Sequence, residues 1–494
     1  MAFSFYTFIA ILLFLLSIIV RSSEITRATN NDSESLVAEE KALMETGWWS
    51  NYSNKGVHHC TWPGVRCSPA GSVIEVDLSG HGLNGSITPQ IGALSKLKCL
   101  NLSLNTLRGE LPSSLGNLTQ LAVLDVSYNE IYYIPLEIEK MKNLVSLNLT
   151  RNLIVHMPST IGLLTNLTHL IMTSNPLQSI IPPHIWNLNK LMTLHLGNCQ
   201  LYGSIPPNIG KLKSLVNLHL SSNMLVGPIP SSVNNLTNLV SLVLYGNQLN
   251  GSIPQEIGRL TNLTTLYLSS NMLVGPIPSS LGNLSRLESF SLYQNKINGS
   301  IPQEIRHLGK LSHLDLGANN LSGEIPSFLG LLPSLSRLYL DSNLFEGFIP
   351  LDIRKLKNLT LLLLSGNRLT GSIPSSLSYL TNLQLLSLDR NLLHGSIPYE
   401  IGNMTNLIEL QLDSNHISNS TPSSLLHLPN SLHLSMASNL SEGPIPHEIE
   451  SLNALGYLVL GMGSTTWETH IFCHNVFSFF GLLCVGCGQP FFYY

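Results

Sequence analysis

The chain has 494 residues, 44% of them hydrophobic and only 11% charged, with a formal net charge of −4. That length is ample for a large core, and without a basic excess or a long basic run the chain is not built to hold nucleic acid phosphates. Its seven cysteines cannot all pair within one chain.

Residues 3–20 form an uninterrupted apolar stretch, followed by Arg21-Ser22-Ser23 and a polar segment. This reads as a cleaved signal peptide over residues 1–23, although no Lys or Arg precedes the stretch, and an uncleaved leader would anchor the chain. Residues 33–72 read as a cap. Ser35 to Trp49 carries apolar residues at helical spacing, suited to covering the end of a core. Cys60-Thr-Trp62-Pro-Gly64-Val65-Arg-Cys67 follows, where a short disulfide loop between Cys60 and Cys67 would stiffen the cap in an oxidising compartment. Neighbouring His58 and His59 do not give the usual paired zinc-ligand spacing, so no metal site is expected.

From 73 to 463 a 24-residue phrase recurs, written most fully as Leu-x-x-Leu-x-Leu-x-x-Asn-x-Leu-x-Gly-x-Ile-Pro, in about seventeen copies. In Leu215-Val-Asn-Leu218-His-Leu220-Ser-Ser-Asn223 the leucines alternate as a half-buried strand. One coil cannot bury that face alone, so stability comes from stacked neighbours. The Asn column offers amide donors and an acceptor to backbone groups at the turn. Cys199 stands in that column as a structural thiol, and Cys99 and Cys199 are expected to be free. Gly227, Gly251 and Gly275 recur where positive φ or close backbone approach is needed. Pro230, Pro254 and Pro278 then block a further ladder, and this half of the coil forms the outer side. The expected fold is an α/β repeat, a leucine-rich repeat solenoid curved as a horseshoe or superhelix, with a parallel β-sheet on the concave face and a disulfide N-terminal cap. The segments Glu130 to Pro135, Leu153 to Pro158 and Pro176 to Pro182 lack the Gly, which implies local variation in curvature or, at Tyr132-Tyr133, a lateral contact.

Asn-x-Ser/Thr sequons are dense and support passage through the secretory pathway. Glycosylation candidates are Asn51, Asn84, Asn117, Asn166, Asn235, Asn262, Asn283, Asn358 and Asn403; sequons also occur at Asn31, Asn101, Asn148, Asn250, Asn298, Asn320, Asn419 and Asn439.

Residues 464–494 are a largely apolar tail that resembles neither another coil nor a C-terminal cap. Its most apolar part, Val476 to Val485, is about half of the ~20 residues a spanning helix needs. The preferred reading is out-of-frame or unspliced sequence; the alternative is a short membrane segment. Cys484-Val-Gly-Cys487 lacks a second Cys/His pair to make a metal site.

The Cys-x-Trp-x-Gly-Val-x-Cys cap followed by Leu-x-Gly-x-Ile-Pro coils resembles the ectodomain of plant leucine-rich repeat receptor-like kinases over roughly residues 35–463. Within that family it is similar to the male-discoverer-interacting receptor kinase group. The resemblance implies a plasma-membrane receptor that binds a secreted peptide and recruits a shorter leucine-rich repeat co-receptor kinase. It also implies a cytoplasmic Ser/Thr kinase behind one transmembrane helix, yet this sequence holds no His-Arg-Asp, no Asp-Phe-Gly and no Gly-rich loop with Val-Ala-Ile-Lys. The chain is therefore expected to bind rather than catalyse, with no catalytic residues and no cofactor.

Binding is expected on the concave face, between the leucines. The column four residues before the Asn and the column two before it contribute His195, His219, Tyr245, Tyr267, Tyr293 and Tyr339, followed by Asp315, Asp341, Asp389 and Asp413. Aromatics give rigid contact area with a polar tip, and carboxylates favour a basic or hydroxyl-rich ligand. No sequon falls in either column between His195 and Asp413. The alternative is a secreted inhibitor of a cell-wall enzyme, polygalacturonase-inhibitor-like. Such inhibitors have about ten coils and a C-terminal Cys cap, so this chain's length and missing cap argue against it. Both readings place the protein in the secretory pathway, at the plasma membrane or cell exterior.

Overall fold

The computed structural model describes residues 30–50, 58–418, 422–428, 432–440 and 455–459. The leader, Asn51, Asn419 and the 464–494 tail lie outside the described residues.

Among the described residues the periodic leucines build one long sheet of 18 strands. Each coil adds a short parallel strand in the same register, so that Leu194 pairs with Leu218 and Leu218 with Leu242. The inward row is fully buried, as at Leu215, Leu218 and Leu220. At the N-terminal edge the cap strand Val65–Cys67 pairs antiparallel with Val73–Asp77 and closes the exposed edge.

The Asn column stitches consecutive coils as its chemistry suggests. Asn223 Nδ2 donates to Leu196 O at 2.8 Å, Leu220 O at 2.9 Å and Ser221 O at 3.1 Å, while its Oδ1 accepts from Leu201 N at 2.9 Å. Cys199 keeps the donor half of this role, its thiol reaching Met172 O at 3.2 Å and Gly197 O at 3.3 Å. It brings no amide oxygen, and Leu177 N turns instead to Asn175 O at 2.9 Å. Cys99 and Cys199 are both free thiols.

Beyond the Asn, the chain forms a second parallel sheet along one side, eight strands from Tyr202–Ser204 to Arg368–Leu369, with smaller pieces at Asn84–Gly85 to Glu130–Tyr133 and His394–Gly395 to His416–Ile417. The outer half of the coil is thus itself a ladder, and the prolines end it: Pro230, Pro254 and Pro278 stand at the N-caps of short 3-10 helices on the back. Gly227, Gly251 and Gly275 sit at φ of 79°, 74° and 81°, where a Cβ would be strained. In the Gly-less segments 153–158 and 176–182 the lateral strand is missing, whereas Glu130–Tyr133 keeps its strand without the Gly.

The cap covers the first coil. Helix Asn30–Glu45 and the turn after it bury Ala42, Leu43 and Trp49, and Trp49 Nε1 donates to Pro63 O at 2.9 Å. The buried Glu39 carboxylate accepts Val73 N at 2.8 Å, satisfying a donor at the sheet edge, and burial raises its pKa. Cys60 and Cys67 form a disulfide. His58, His59 and Cys60 bring ligand atoms within 4.8 Å of one another, but the Cys60 sulfur is already bonded to Cys67 and is no thiolate.

Candidate ligand-binding face

On each concave strand the residues six and four before the Asn flank a buried leucine and point outward. Parallel register then links a side chain four before one Asn with the side chain six before the next. His219 Nε2 meets Ser241 Oγ at 2.9 Å and Tyr267 Oη meets Ser289 Oγ at 2.7 Å along this diagonal.

The two early histidines form one unit. The His195 and His219 rings stack with centroids 4.1 Å apart and planes 2° from parallel, His195 buried and His219 half-buried. Burial drives both pKa values down, His219 to about 4 and His195 well below its ordinary value, with the neighbouring imidazole adding to the effect on His195. Both are neutral near pH 7, and the half-buried His219 is the member of the pair open to the concave side. His169 sits one coil earlier, its pKa also lowered by burial, with Nδ1 2.7 Å from Thr168 Oγ1.

Tyr245 and Tyr293, two residues before their Asn, are each 41% exposed and stand at the rim, while Tyr267 is half-buried between them. Next comes a hydroxyl-to-carboxylate chain. Ser269 Oγ and Ser291 Oγ are 2.7 Å apart, and Ser291 Oγ lies 2.8 Å from Asp315 Oδ2. Burial raises the Asp315 pKa, against the hydrogen bonds from Ser291 and Gly317 N. Tyr339 packs with its ring 5.3 Å from that of His313, and burial raises its pKa. Burial also raises Asp341, and the charges of Asp315 and Asp389 add to it.

The later carboxylates are held locally. Asp389 accepts from Ser387 Oγ at 2.6 Å and lies 3.8 Å from Arg390 Nε. Asp413 accepts from Ser435 Oγ and Ala437 N, each at 2.6 Å. The ten expected residues therefore fall into a histidine pair, a tyrosine middle joined to neighbouring serines, and an acidic stretch around Tyr339 whose last member, Asp413, is tied to the following coil. Sequence reading missed Ser241, Ser289 and His313, which stand in the column six before the Asn; scanning that column beside its neighbour would have found them.

The glycosylation candidates divide by environment. Asn84, Asn117, Asn235, Asn283 and Asn403 are exposed. Asn166, Asn262 and Asn358 belong to a second asparagine ladder where the chain returns to the concave strand, donating Nδ2 to Lys142 O at 2.9 Å, Thr237 O at 3.0 Å and Pro333 O at 2.9 Å. Among the described residues no helix is long and apolar enough to cross a membrane.

Residues 172–298 match the family model described as a leucine-rich repeat region, and 96–118, 310–332, 358–380 and 382–404 match the leucine-rich repeat. The fold is shared with the solved plant peptide hormone receptor RGFR1 in complex with RGF2, at a TM-score of 0.75 and 33% identity over 81% of this chain and 72% of that one. The chain belongs to the leucine-rich repeat family. Its repeats are homologous to those of plant leucine-rich repeat receptor-like kinases. The Arabidopsis thaliana leucine-rich repeat receptor-like tyrosine-protein kinase PXC3 is 42% identical over 84 residues, 17% of this chain and 9% of that protein. The Arabidopsis thaliana MDIS1-interacting receptor like kinase 1 is 47% identical over 47 residues, 10% of this chain and 5% of that protein. The matched stretches thus span less than a tenth of either relative's length.

Proposed function

We propose that this chain is the extracellular recognition module of a plant receptor-like protein, binding a secreted peptide along the concave band from His195 to Asp413 for signalling at the plasma membrane or cell exterior. A leucine-rich repeat co-receptor kinase is the second partner, and the module binds rather than catalyses. The observation that carries the reading is the change of character along the band. Neutral imidazole, phenol and hydroxyl groups run from His195 to Tyr293, and carboxylates from Asp315 to Asp413. His219, braced by the buried His195, and Tyr267 offer rigid rings to apolar or ring-bearing side chains, and the half-buried carboxylates favour a basic end. At about 4.8 Å per strand the band spans roughly 43 Å, the length of an extended peptide of about a dozen residues. The similarly folded receptor RGFR1 is solved with RGF2 bound, which supports a ligand of this class.

The test is affinity selection of secreted plant peptides on the immobilised chain, followed by calorimetry with the peptide recovered. Tyr267→Ala combined with Tyr293→Ala is expected to weaken binding at least tenfold; undiminished affinity would sink the concave-face reading. Asp315→Asn with Asp341→Asn is expected to weaken a basic peptide and flatten the salt dependence of its affinity.

A further inference from the structure

The lateral sheet carries a two-coil pattern absent from the concave face. The stretch Ser221 to Ser232 is repeated residue for residue at Ser269 to Ser280, and Asn250 to Ile257 at Asn298 to Ile305, each 48 residues on. Apolar coils therefore alternate with sequon coils on this side. In the apolar coils Met224, Val226, Met272 and Val274 are 44%, 40%, 47% and 41% exposed, an apolar cluster open on the sheet face. In the coils between them Asn250 and Asn298 are exposed, and among the described residues neither amide joins an asparagine ladder. Register places Asn250 beside Pro228 on one strand and Met272 on the next, with Val226 beside Gln248 two residues back; Asn298 lies beside Pro276 on one strand, with Val274 beside Lys296 two residues back, and beside Asn320 on the next.

We propose that Asn250 and Asn298 are N-glycosylated and that their first sugars lie over Met224, Val226, Met272 and Val274, making this part of the lateral face a glycan-covered side. This rests on the extracellular part of the preceding reading. A lipid-pyrophosphate-linked oligosaccharide is the donor. The Asn amide nitrogen forms a bond to the anomeric carbon, the bond from that carbon to the pyrophosphate oxygen breaks, and the amide's proton leaves with the pyrophosphate. Each hydroxymethylated sugar ring has an apolar C–H face that suits a Met or Val side chain, while its hydroxyl edge stays in water. The 48-residue repeat puts acceptor and preceding coil in step, so Asn250 stands to Val226 and Pro228 as Asn298 stands to Val274 and Pro276, while only Asn250 also has a Met, Met272, beside it on the following coil. Asn439 is the contrast within the chain. Its sequon is intact, but Nδ2 donates to Leu412 O at 2.8 Å and Met436 O at 3.0 Å and the residue is buried, so a glycan there is incompatible with the folded coil.

The full chain with its own leader is expressed in plant cells, and glycosidase release in heavy-oxygen water marks each modified Asn by mass. Label is expected at Asn250 and Asn298 and not at Asn439. Ser252→Ala with Ser300→Ala, which keeps both asparagines but removes the hydroxyls needed for transfer, is expected to raise hydrophobic-dye fluorescence at least twofold. Adding Met224→Gln, Val226→Thr, Met272→Gln and Val274→Thr is expected to return it to the starting level. Should the double variant fail to fold, trimming the glycans from the folded protein gives the same dye readout. Unmodified Asn250 and Asn298 beside other modified sequons would overturn the proposal alone, as would unchanged dye binding after glycan loss. No label anywhere would overturn it together with the extracellular function.

Discussion

The asparagine column shows how much one side chain settles in each coil. Asn343 donates Nδ2 to Leu316 O at 2.9 Å and Asp341 O at 3.1 Å and accepts from Leu321 N at 3.0 Å, all in the buried interior. Asn343→Ala strands the buried Leu321 N–H and leaves Leu316 O and Asp341 O with Asn319 Nδ2 and Ala318 N as their remaining donors, and urea unfolding is expected to show a loss of about 1–3 kcal/mol. The residue before the Asn is held at positive φ in nearly every coil, for example Ala318 at 51° and Leu104 at 58°, with Gly246 and Gly366 in two of them. The Asn needs this turn to reach back across the coil, and the strain is accepted in each repeat. A third residue-scale effect is electrostatic. His219 is shifted down to about 4 by burial, so between there and its ordinary value of 6.5 the unfolded chain binds the proton and the folded chain does not. Stability through this group is therefore full above pH 6.5 and is lost as the pH falls toward 4. The raised carboxyls of Asp315 and Asp341 act with the opposite sign, losing stability as pH rises through their folded values. The difference in unfolding free energy between the wild type and His219→Asn isolates the histidine. It is expected to shift against the wild type by about 1–2 kcal/mol between pH 7 and pH 5.

At the scale of the element, the back of the solenoid depends on one position in the short 3-10 helices. Where that position is glycine, as at Gly258 and Gly330, a Cβ would lie 2.3 Å from the carbonyl oxygen of the next coil, Ser280 O and Asp352 O respectively. These glycines have ordinary φ, so close approach and not a left-handed turn demands them. Where the position carries a side chain, as at Trp186, Arg306 and Asn234, the helix packs less closely on its successor. The pattern of glycine and bulkier residue thus sets the local spacing of the convex side, and with it the curvature of the concave face. Gly258→Val is expected to cost about 1–3 kcal/mol by forcing backbone apart, read as a lowered melting temperature. Arg306→Gly tests the converse, with closer packing of its helix against Ser327–Leu331 as the expected result in a crystal structure.

For the whole molecule, stability is a sum over neighbouring coils and not a single global contact. Two ladders run along the chain, but the lateral one is absent at 153–158 and 176–182 while the concave one continues through. Leu153 N still reaches Ile131 O at 2.8 Å and Ile154 N reaches Asn175 Oδ1 at 3.1 Å, but 155–157 and 178–180 belong to no lateral strand of the kind that protects Met224–Pro228. Hydrogen exchange is expected to be fastest in 155–157 and 178–180 and slow along Met224–Pro228; uniform protection across these coils would contradict the nearest-neighbour picture. The interruption lies just before the His195–His219 pair, so the proposed peptide band begins where the lateral ladder resumes.

The 24-residue period, the buried leucines, the bridging role of Asn223 and its kin, and the Cys60–Cys67 loop were all legible in the sequence. Each follows from residue type at a fixed spacing within one coil or one short loop. The concave columns were legible too, because a strand with one buried face must point its other residues outward. Tertiary structure alone decided what depends on two coils meeting. The second sheet, the close approach at Gly258, the stacking of His195 on His219 and the Tyr267–Ser289 and Ser291–Asp315 bonds all join residues 22 to 24 apart in the chain. Composition and period reveal that such residues are neighbours, but rotamer, register and burial determine whether they stack, share a proton or stand apart.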